Sequence, residues 1–212
     1  MNFKIFTDNI NVLKSTKLGG LNAQFKLAPK LRLKYDADKI KANNPKKAAV
    51  LALFYPDADN KTRFLLTQRA SYKGTHSAQI SFPGGKVEEN DNNLQETALR
   101  EAYEEVGILQ STVEIIRELT DVYIPPSNFL ATPFMGFVSQ KPQFILNHEV
   151  DSVIEISIDD LLNDSSLTSI NMNTSYMKNI DVPTFLIDDK IIWGATGMML
   201  SEIKDLLKTI YS

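Results

Sequence analysis

The segment FPGGKVEENDNNLQETALREAYEEVGI, residues 82–108, constrains this chain more than any other stretch. A double glycine is followed by a polar stretch and then by a helix-forming run that contains Glu101, Glu104 and Glu105. Residues three and four positions apart lie side by side on a helix surface, where like charges repel one another. A helix that needed only solubility would mix lysines into this face, so the pattern indicates that a cation belongs there.

The ends of this helix can be predicted from its flanking residues. Asn93 and Glu96 have the spacing of a capping box, and Gly107 is a typical residue just beyond a helix C-terminus. We therefore predict a helix from about Leu94 to Val106. Its buried face is predicted from apolar residues that recur at helical spacing, namely Leu94, Ala98, Leu99, Ala102 and Val106. The three glutamates lie away from the centre of that face.

The glutamate face has the composition of a site for a hard cation. Carboxylate oxygens suit Mg²⁺ or Mn²⁺, and Mg²⁺ commonly shares its coordination with substrate phosphates. The Gly84-Gly85 turn just before the helix allows backbone to approach a ligand closely. Together these features indicate metal-assisted attack by water on a phosphoanhydride. For EAYEE by itself, a solvated acidic helix face is the alternative interpretation.

Composition excludes several other classes of site and partner. The net charge of −3 gives no general attraction to nucleic acid or to anionic membranes. The chain has no cysteine and only His76 and His148, which argues against thiolate chemistry and against a multi-histidine zinc site. The N-terminus has no secretory apolar core, and no apolar run is long enough to span a bilayer. We therefore expect a cytoplasmic protein, either monomeric or homodimeric.

The order of predicted elements indicates an α+β domain, with helices packed on a mixed sheet. A short helix is predicted near residues 8–14, and a hairpin is predicted from AAVLALFY and RFLLTQR. Further strands are predicted at QISF, VEIIREL, ATPFMGFVS, PQFILN, VIEISI, TFLID and KIIWG. DDLLND is predicted to form a brief helical turn, and ATGMMLSEIKDLLKTIY the last helix. We expect one domain over 1–212, with 1–46 as an N-terminal extension packed on a core of about 47–210.

The glycine–glutamate segment resembles the Nudix box, G-x5-E-x7-R-E-U-x-E-E-x-G-U, where U is a bulky aliphatic residue. REAYEEVGI, residues 100–108, matches the second half, with Ala102 at the first aliphatic position. The first half departs from the motif. Arg100 lies one position later than the motif places it after Gly85. Asn92 lies eight positions before Arg100, where the early glutamate is expected, and Asp91 is the nearest acid.

The resemblance implies a fold and a set of roles. The fold would be the Nudix α/β/α sandwich around a mixed β-sheet. Glu101 and Glu105 would be the main ligands of Mg²⁺ or Mn²⁺, and Glu104 an additional ligand or a group that handles water. Arg100 would position the acids, and Gly85 would offer its backbone to metal or phosphate. Glu149 is the candidate acid outside the box that completes the metal site or acts as base, a surface charge being the alternative.

A second resemblance concerns the substrate. LLTQRASYKGTHSAQISFPGG, residues 65–85, resembles the signature of the coenzyme A pyrophosphatase subgroup, with Gly74 and Ala78 departing from it. IPPS, ATPFMGF and IWGAT resemble later parts of the same subgroup, so the likeness covers about residues 48–200. The implied reaction is hydrolysis of the diphosphate of CoA or acyl-CoA to 3′,5′-ADP and (acyl-)4′-phosphopantetheine.

The same resemblance implies the residues that bind a nucleotide-containing substrate, namely Arg69, Lys73, Phe82, Pro83, Gly84, Gly85 and Lys86. CoA requires a basic contact for its 3′-phosphate, for which the side chains of Arg69, Lys73 and Lys86 are candidates. Ordinary solvated charge is the alternative for each of them. PPSNF is a candidate lining of a groove for pantetheine, and a rigid turn is its alternative.

Two other functions stay open. One is a Nudix hydrolase for another nucleoside diphosphate derivative, such as ADP-ribose, NADH or a dinucleoside polyphosphate. The other is a non-catalytic regulator that binds a nucleotide or CoA. The complete set of three acids in REAYEE argues for catalysis, because a sensor has no need to keep all of them.

Overall fold

The computed structural model describes residues 1–70, 79–173 and 179–211. Within them the α-helices are α1 (Phe3–Asp8), α2 (Ile10–Ser15), α3 (Gly20–Gln24), α4 (Ala37–Ala42), α5 (Leu94–Val106), α6 (Ile158–Leu162) and α7 (Gly194–Leu207). The strands are β1 (Lys46–Pro56), β2 (Thr62–Arg69), β3 (Ile80–Ser81), β4 (Gly84–Lys86), β5 (Glu114–Glu118), β6 (Val122–Ile124), β7 (Phe129–Phe137), β8 (Val150–Ser157), β9 (Leu167–Met172), β10 (Ile180–Ile187) and β11 (Lys190–Ile192). None of the helices in these ranges is long and apolar enough to cross a membrane.

A mixed sheet organises the fold around β1. β1 runs parallel to β7 and antiparallel to both β2 and β4. β3 and β8 pair with β2, while β5 and β6 pair with β7, so the described residues place eight strands in this sheet. A smaller antiparallel sheet has the order β11-β10-β9. The predicted hairpin is confirmed, with Phe54 opposite Phe64.

Helices cover both faces of the main sheet. Successive residues of β1 point to opposite faces, as the pleat of a strand requires. Leu51 and Leu53 pack in one cluster with Ala98 and Ala102 of α5. Ala52 and Phe54 belong to a second cluster on the opposite face, which includes apolar residues of α1 and α7, among them Phe3, Phe6, Met198, Leu200 and Ile203. This arrangement is the predicted α/β/α sandwich, and a central strand buried on both faces explains why AAVLALFY is almost wholly apolar.

The N-terminal segment packs against this body. Phe6 and Leu13 are fully buried in the second cluster. Arg117 of β5 donates from Nη1 to the carbonyl oxygens of Leu13 and Thr16 at 2.7 and 2.6 Å. The first two helices thus contact the main sheet, and the division into an extension of 1–46 and a core of about 47–210 stays a prediction. The predicted single helix near 8–14 is replaced by α1 and α2, which are separated by Asn9.

The prediction of a strand at PQFILN is wrong. The backbone N–H groups of Ile145 and Asn147 donate to the carbonyl oxygens of Val106 and Glu105 at 3.0 and 3.1 Å. The last carbonyls of a helix have no partner within the helix, and this segment satisfies two of them in α5. β4, β6 and β9 are strands that the sequence pattern did not predict. The predicted Gly84-Gly85 turn is instead part of β4. The other predicted strands and the helical turn at α6 are present.

Candidate active site

Local interactions set the ends of α5 and therefore the positions of its glutamates. The Asn93 side chain accepts a hydrogen bond from the Glu96 N–H at 2.9 Å, and Glu96 Oε2 accepts from the Asn92 N–H at 3.0 Å. Gly107 ends the helix with a φ of 77°, a left-handed conformation that glycine adopts without strain. The helix predicted from its caps is confirmed.

The double glycine brings the edge of the sheet against the acids of α5. The Gly84 N–H donates to Glu105 Oε2 at 3.2 Å. A Cβ added to Gly84 would overlap the Ala49 carbonyl oxygen, and a Cβ on Gly85 would overlap the Glu101 carboxylate. The two carboxylates thus lie against backbone that has no side chain in the way.

Arg100 ties three acids together. Its Nε and Nη2 donate to Asp91 at 2.9 and 3.0 Å, a two-pronged arrangement. Its Nη1 donates to Glu101 Oε1 and Glu104 Oε2, both at 3.1 Å, and Nη2 also donates to the Lys86 carbonyl oxygen at 3.0 Å. The hydrogen bond with Asp91 is the main reason that the pKa of Arg100 is raised. Arg100 therefore holds these carboxylates in place, and its positioning role in catalysis stays a prediction.

Asp91 accounts for the departure of the first half of the motif. Its side chain is 4% exposed and accepts from the Glu88 N–H and the Thr97 hydroxyl, both at 2.9 Å. The hydrogen bond from Arg100 holds the pKa of Asp91 at about 2. The hydrogen bonds of Asp91 thus connect the loop before α5 to the helix. Counted back from Arg100, the motif would place a glutamate at position 92 instead.

Replacing Asp91 by Asn is expected to lower the free energy of unfolding by about 3 kcal/mol, because it leaves the charge of Arg100 without its buried partner. The folded-state pKa of Asp91 is below its ordinary value of 3.8, so its stabilisation is present above that pH and is lost as the pH falls toward about 2. The difference between variant and wild type should therefore shrink in strong acid. Urea unfolding at several pH values measures it, with exposed Asp151→Asn as the control. A constant difference across that range would contradict this account.

Arg69 connects the glutamate face to Glu149. Its Nη2 donates to Glu149 Oε2 at 3.0 Å, and its Nη1 lies 3.7 Å from Glu105 Oε1. Arg69 is the last residue of β2, and Glu149 directly precedes β8, the strand that pairs with β2. Two residues that are 80 positions apart in sequence are thereby brought to one site.

The electrostatics of the site favour an added positive charge. Burial raises the pKa of Glu105 to about 7, with repulsion from Glu101 and Glu149 adding to the shift and Arg69 opposing it. Burial also raises the pKa of Glu101, against the attraction of Arg100. Carboxyl groups that resist ionisation in a shared site gain most from a nearby cation.

Lowering the pH from about 8 to about 6 is expected to weaken Mn²⁺ binding about tenfold, because Glu105 must lose its proton to become a ligand. Since its folded-state pKa of about 7 lies above the ordinary 4.5, Glu105 favours the folded metal-free protein at low pH, and this contribution is lost as the pH rises through about 7. Metal-free stability and metal affinity should thus change in opposite directions. Isothermal titration and thermal melts at matched pH check both. A pH-independent affinity would contradict the role of Glu105.

The donor set fits a hard divalent cation. Within residues 1–70, 79–173 and 179–211, no three His, Cys, Asp or Glu side chains form a preformed cluster that could hold a metal. The acids are instead paired with Arg69 and Arg100. Even so, Glu105 and Glu101 lie against Gly84 and Gly85 of β4, where an added Cβ would overlap neighbouring atoms, and carboxylates are the ligands that Mg²⁺ and Mn²⁺ prefer. Glu101, Glu104 and Glu105 are therefore the residues that could hold the ion.

Comparison with known proteins shows the family of this chain. A family model described as the NUDIX domain matches residues 45–170. The chain belongs to the Nudix family. Nudix hydrolase 15, mitochondrial, of Arabidopsis thaliana is 34% identical over 176 residues, which cover 79% of this chain and 60% of that protein. Nudix hydrolase 3 of Caenorhabditis elegans is 30% identical over 165 residues, which cover 70% of this chain and 68% of that protein.

Solved structures agree on the Nudix fold. The Nudix hydrolase RenU from M. smegmatis aligns with a TM-score of 0.56 at 15% identity, over 78% of this chain and 88% of that chain. A MutT/nudix family protein from Enterococcus faecalis aligns with a TM-score of 0.51 at 14% identity, over 85% of this chain and 75% of that chain. At such identities the likeness concerns the fold.

The remaining substrate-binding predictions fall at different places in this Nudix structure. Phe82 is 2% exposed and packs against Phe64, so its side chain belongs to the core. Pro83 is also buried, and its carbonyl oxygen accepts from the Leu51 N–H at 2.9 Å. The Lys86 side chain is exposed beside the site. Lys73, together with the motif departures Gly74 and Ala78 and with His76, lies outside the described residues.

The PPSNF segment forms a turn, which is the alternative to a lining of a substrate groove. Residues Pro125–Ser127 form a single 3₁₀ turn that Asn128 ends with a φ of 52°. The Tyr123 hydroxyl donates to the Asn128 side-chain oxygen at 3.0 Å. The turn leads directly into β7, and its role as a lining of a pantetheine groove stays a prediction.

An apolar groove lies beside the acids, and the sequence analysis missed it. It has a volume of about 690 Å³ and is formed by the end of α5, the residues after it and the loop after β7. Its walls include Glu104 and several exposed apolar side chains, of which Tyr103 is 50%, Leu109 57% and Ile145 70% exposed. The sequence signal for this groove is the apolar run FIL in PQFILN, whose pattern predicts a strand.

Proposed function

We propose that this Nudix chain hydrolyses the diphosphate of CoA or acyl-CoA in the presence of Mg²⁺ or Mn²⁺. The observation that carries the proposal is the placement of Glu101 and Glu105 against the Gly84-Gly85 backbone. The products would be 3′,5′-ADP and (acyl-)4′-phosphopantetheine. The choice of CoA rests on the subgroup-like residues 65–85, and the groove beside Glu104 offers a surface for the apolar part of such a substrate.

The roles of the chain's own residues follow from their positions. A divalent cation supplies charge neutralisation of a diphosphate and lowers the pKa of an attacking water. Glu101 and Glu105 would hold this ion, with Glu104 as the additional ligand. Arg100 would fix the carboxylates of Glu101 and Glu104. The Gly85 backbone would face the phosphates.

Proton transfer is the second requirement of the hydrolysis. Water adds to phosphorus, the bond from that phosphorus to the bridging oxygen breaks, and the water proton must leave. Glu149 is 47% exposed and electrostatically coupled to Glu101 and Glu105, so it is the acid best placed outside the helix to accept that proton. The leaving phosphate carries the negative charge of the bridging oxygen.

A substrate panel tests the proposal. CoA, an acyl-CoA, ADP-ribose, NADH and a dinucleoside polyphosphate are each incubated with Mg²⁺, Mn²⁺ or EDTA, and the products are separated by chromatography. The proposal expects metal-dependent release of 3′,5′-ADP from CoA or acyl-CoA at the highest kcat/KM of the panel. Preference for another diphosphate would favour the alternative Nudix substrate. A melting shift with CoA but no turnover of any compound would favour the binding-regulator alternative.

Replacing Ile145 by Asn is expected to raise the KM for a medium-chain acyl-CoA about fivefold, because a partly exposed apolar side chain contributes about 1 kcal/mol when a ligand covers it. The KM for ADP-ribose, which has no acyl chain, should not change. Steady-state kinetics with both compounds measure the effect. Leu186→Asn is the matched control, since Leu186 is 43% exposed on β10 and does not line the groove. An unchanged KM for the acyl-CoA would remove the groove from the proposal.

The surroundings of the protein remain predictions of the sequence. A cytoplasmic setting, a monomeric or homodimeric state and the absence of nucleic-acid or membrane partners are all expected from composition. The Arabidopsis relative bears the word mitochondrial in its name. Fractionation of the source cells would locate this chain.

A further inference from the structure

Arg69 contacts two acids of the candidate active site. Its guanidinium lies between a buried carboxylate, that of Glu105, and a half-exposed one, that of Glu149. The distances are 3.7 Å from Nη1 to Glu105 Oε1 and 3.0 Å from Nη2 to Glu149 Oε2. In the proposed function Glu105 is a ligand of the divalent cation, and Glu149 is the acid that accepts the water proton.

The backbone around Arg69 holds it at this place. The pairing of β2 with β8 shifts register between Gln68 and Arg69, so that Arg69 lies opposite Val150. Such an irregularity re-aims the side chain that follows it. The Ala70 N–H then donates to the Glu149 carbonyl oxygen at 2.8 Å, which fixes the backbones of the arginine and its acid side by side.

The guanidinium itself is held mainly by charge. Arg69 Nε is buried without a hydrogen-bond partner among the described residues, and the acidic partners are reached by the two terminal nitrogens. Arg100 is different, because its guanidinium is anchored by Asp91 and by the Lys86 carbonyl in addition to the glutamates. Among the described residues, Arg69 therefore has fewer hydrogen-bond partners than Arg100 to lose on moving.

We propose that Arg69 is an exchangeable counter-cation, which neutralises Glu105 and Glu149 before metal binds, competes with the metal for Glu105, and then contacts the substrate diphosphate. A guanidinium and a divalent ion cannot both occupy the same space beside the Glu105 carboxylate. Once released, a guanidinium suits two-pronged contact with phosphate oxygens. The inference rests on the metal site of the proposed function and assigns Arg69 two opposing effects.

Replacing Arg69 by Met tests both effects. Without substrate, Mn²⁺ should bind the variant about tenfold more tightly, because a competing unit charge about 4 Å from the carboxylates has been removed. With substrate, the KM for CoA should rise about tenfold, because a charge-assisted contact to phosphate is lost. Mn²⁺ binding is measured by electron paramagnetic resonance of the free ion, and turnover by release of 3′,5′-ADP.

Two further variants control the experiment. Arg63→Met removes an arginine from the same strand whose Nε pairs with Asp57 at 2.9 Å, and it should leave Mn²⁺ affinity unchanged. Arg69→Lys keeps the positive charge but replaces the guanidinium with a compact ammonium on a shorter side chain. This variant should therefore bind Mn²⁺ with an affinity between those of wild type and Arg69→Met. If Arg69→Met fails to fold, the direction in which Arg69→Lys changes the Mn²⁺ affinity still tests the inference.

The outcomes separate the inference from the proposed function. Tighter Mn²⁺ binding together with weaker substrate binding supports the counter-cation role, since damage to the fold would weaken both. Unchanged or weaker Mn²⁺ binding in the Arg69 variants, with normal binding by wild type, overturns the inference alone. If wild-type protein binds no Mn²⁺ and turns over no diphosphate, the proposed function fails and the inference fails with it.

Discussion

Glu105→Gln is expected to lower metal-dependent diphosphate hydrolysis by about 10³-fold or more, because metal catalysis contributes several kcal/mol to lowering the barrier. The Glu105 side chain is 6% exposed, and an amide of the same shape can still accept the hydrogen bond from the Gly84 N–H. The fold should therefore persist. At about pH 8 the variant should be at least as stable as wild type, since a buried carboxylate with a raised pKa has been removed.

The measurement pairs turnover with Mn²⁺ titration and thermal melting of the same samples. Glu114→Gln is the matched control, because Glu114 is an exposed glutamate on β5. It should retain full activity and Mn²⁺ affinity. Full activity in Glu105→Gln would show that the ligand assignment is wrong, whatever the melting temperature.

The two glycines before α5 should respond differently to alanine. A Cβ on Gly84 would overlap the Ala49 carbonyl oxygen and the Val50 backbone, and Gly84 has a φ of 154°, which alanine rarely adopts. Backbone cannot move away cheaply, so Gly84→Ala should lower the free energy of unfolding by about 3 kcal/mol. A Cβ on Gly85 would instead overlap the Glu101 carboxylate, which is the end of a flexible side chain.

Gly85→Ala should therefore keep the fold and displace Glu101, lowering activity about 100-fold through misplacement of a ligand. Denaturant unfolding and kcat/KM, measured for both variants, give two independent readings. The expected pattern is a large stability loss for Gly84→Ala and a large activity loss with near-normal stability for Gly85→Ala. A Gly85→Ala variant with wild-type activity would contradict the close approach of the Glu101 carboxylate to Gly85.

The sequence predicted those parts of the fold that local chemistry determines. The capping pair Asn93 and Glu96, the apolar stripe and the terminal Gly107 are all local features, and they gave the correct ends of α5. Binary patterning likewise predicted β1, β2, β7 and α7. Because α5 is correctly placed, the grouping of Glu101, Glu104 and Glu105 on one side of it followed directly from helix geometry.

The features that were missed depend on contacts distant in sequence. PQFILN is apolar like a strand, but the carbonyls at the end of α5 bind its backbone and leave Ile145 exposed. β6 has three residues and β9 carries mostly exposed side chains, so neither shows a pattern strong enough for prediction. The pairing of Arg69 with Glu149 depends on the register of β2 against β8, which no local rule specifies.

The loop between Gly85 and α5 was predicted only in part from the sequence. The sequence contained the decisive acid, Asp91, but the motif directed attention to position 92. Spacing alone could not show which residue faces Arg100, because the loop has an extra residue relative to the motif. The hydrogen bonds of Asp91 to Glu88, Thr97 and Arg100 settle its role.

The central claim, that the glutamates of α5 form a metal site against Gly84 and Gly85 of β4, is tested most directly by diffraction. Crystals would be soaked in Mn²⁺, and an anomalous difference map recorded near the manganese absorption edge. The account predicts a peak about 2.1 Å from carboxylate oxygens of Glu101 and Glu105, with Arg69 turned away from Glu105. A map with no peak there, or with its only protein-bound peak elsewhere, would contradict the account.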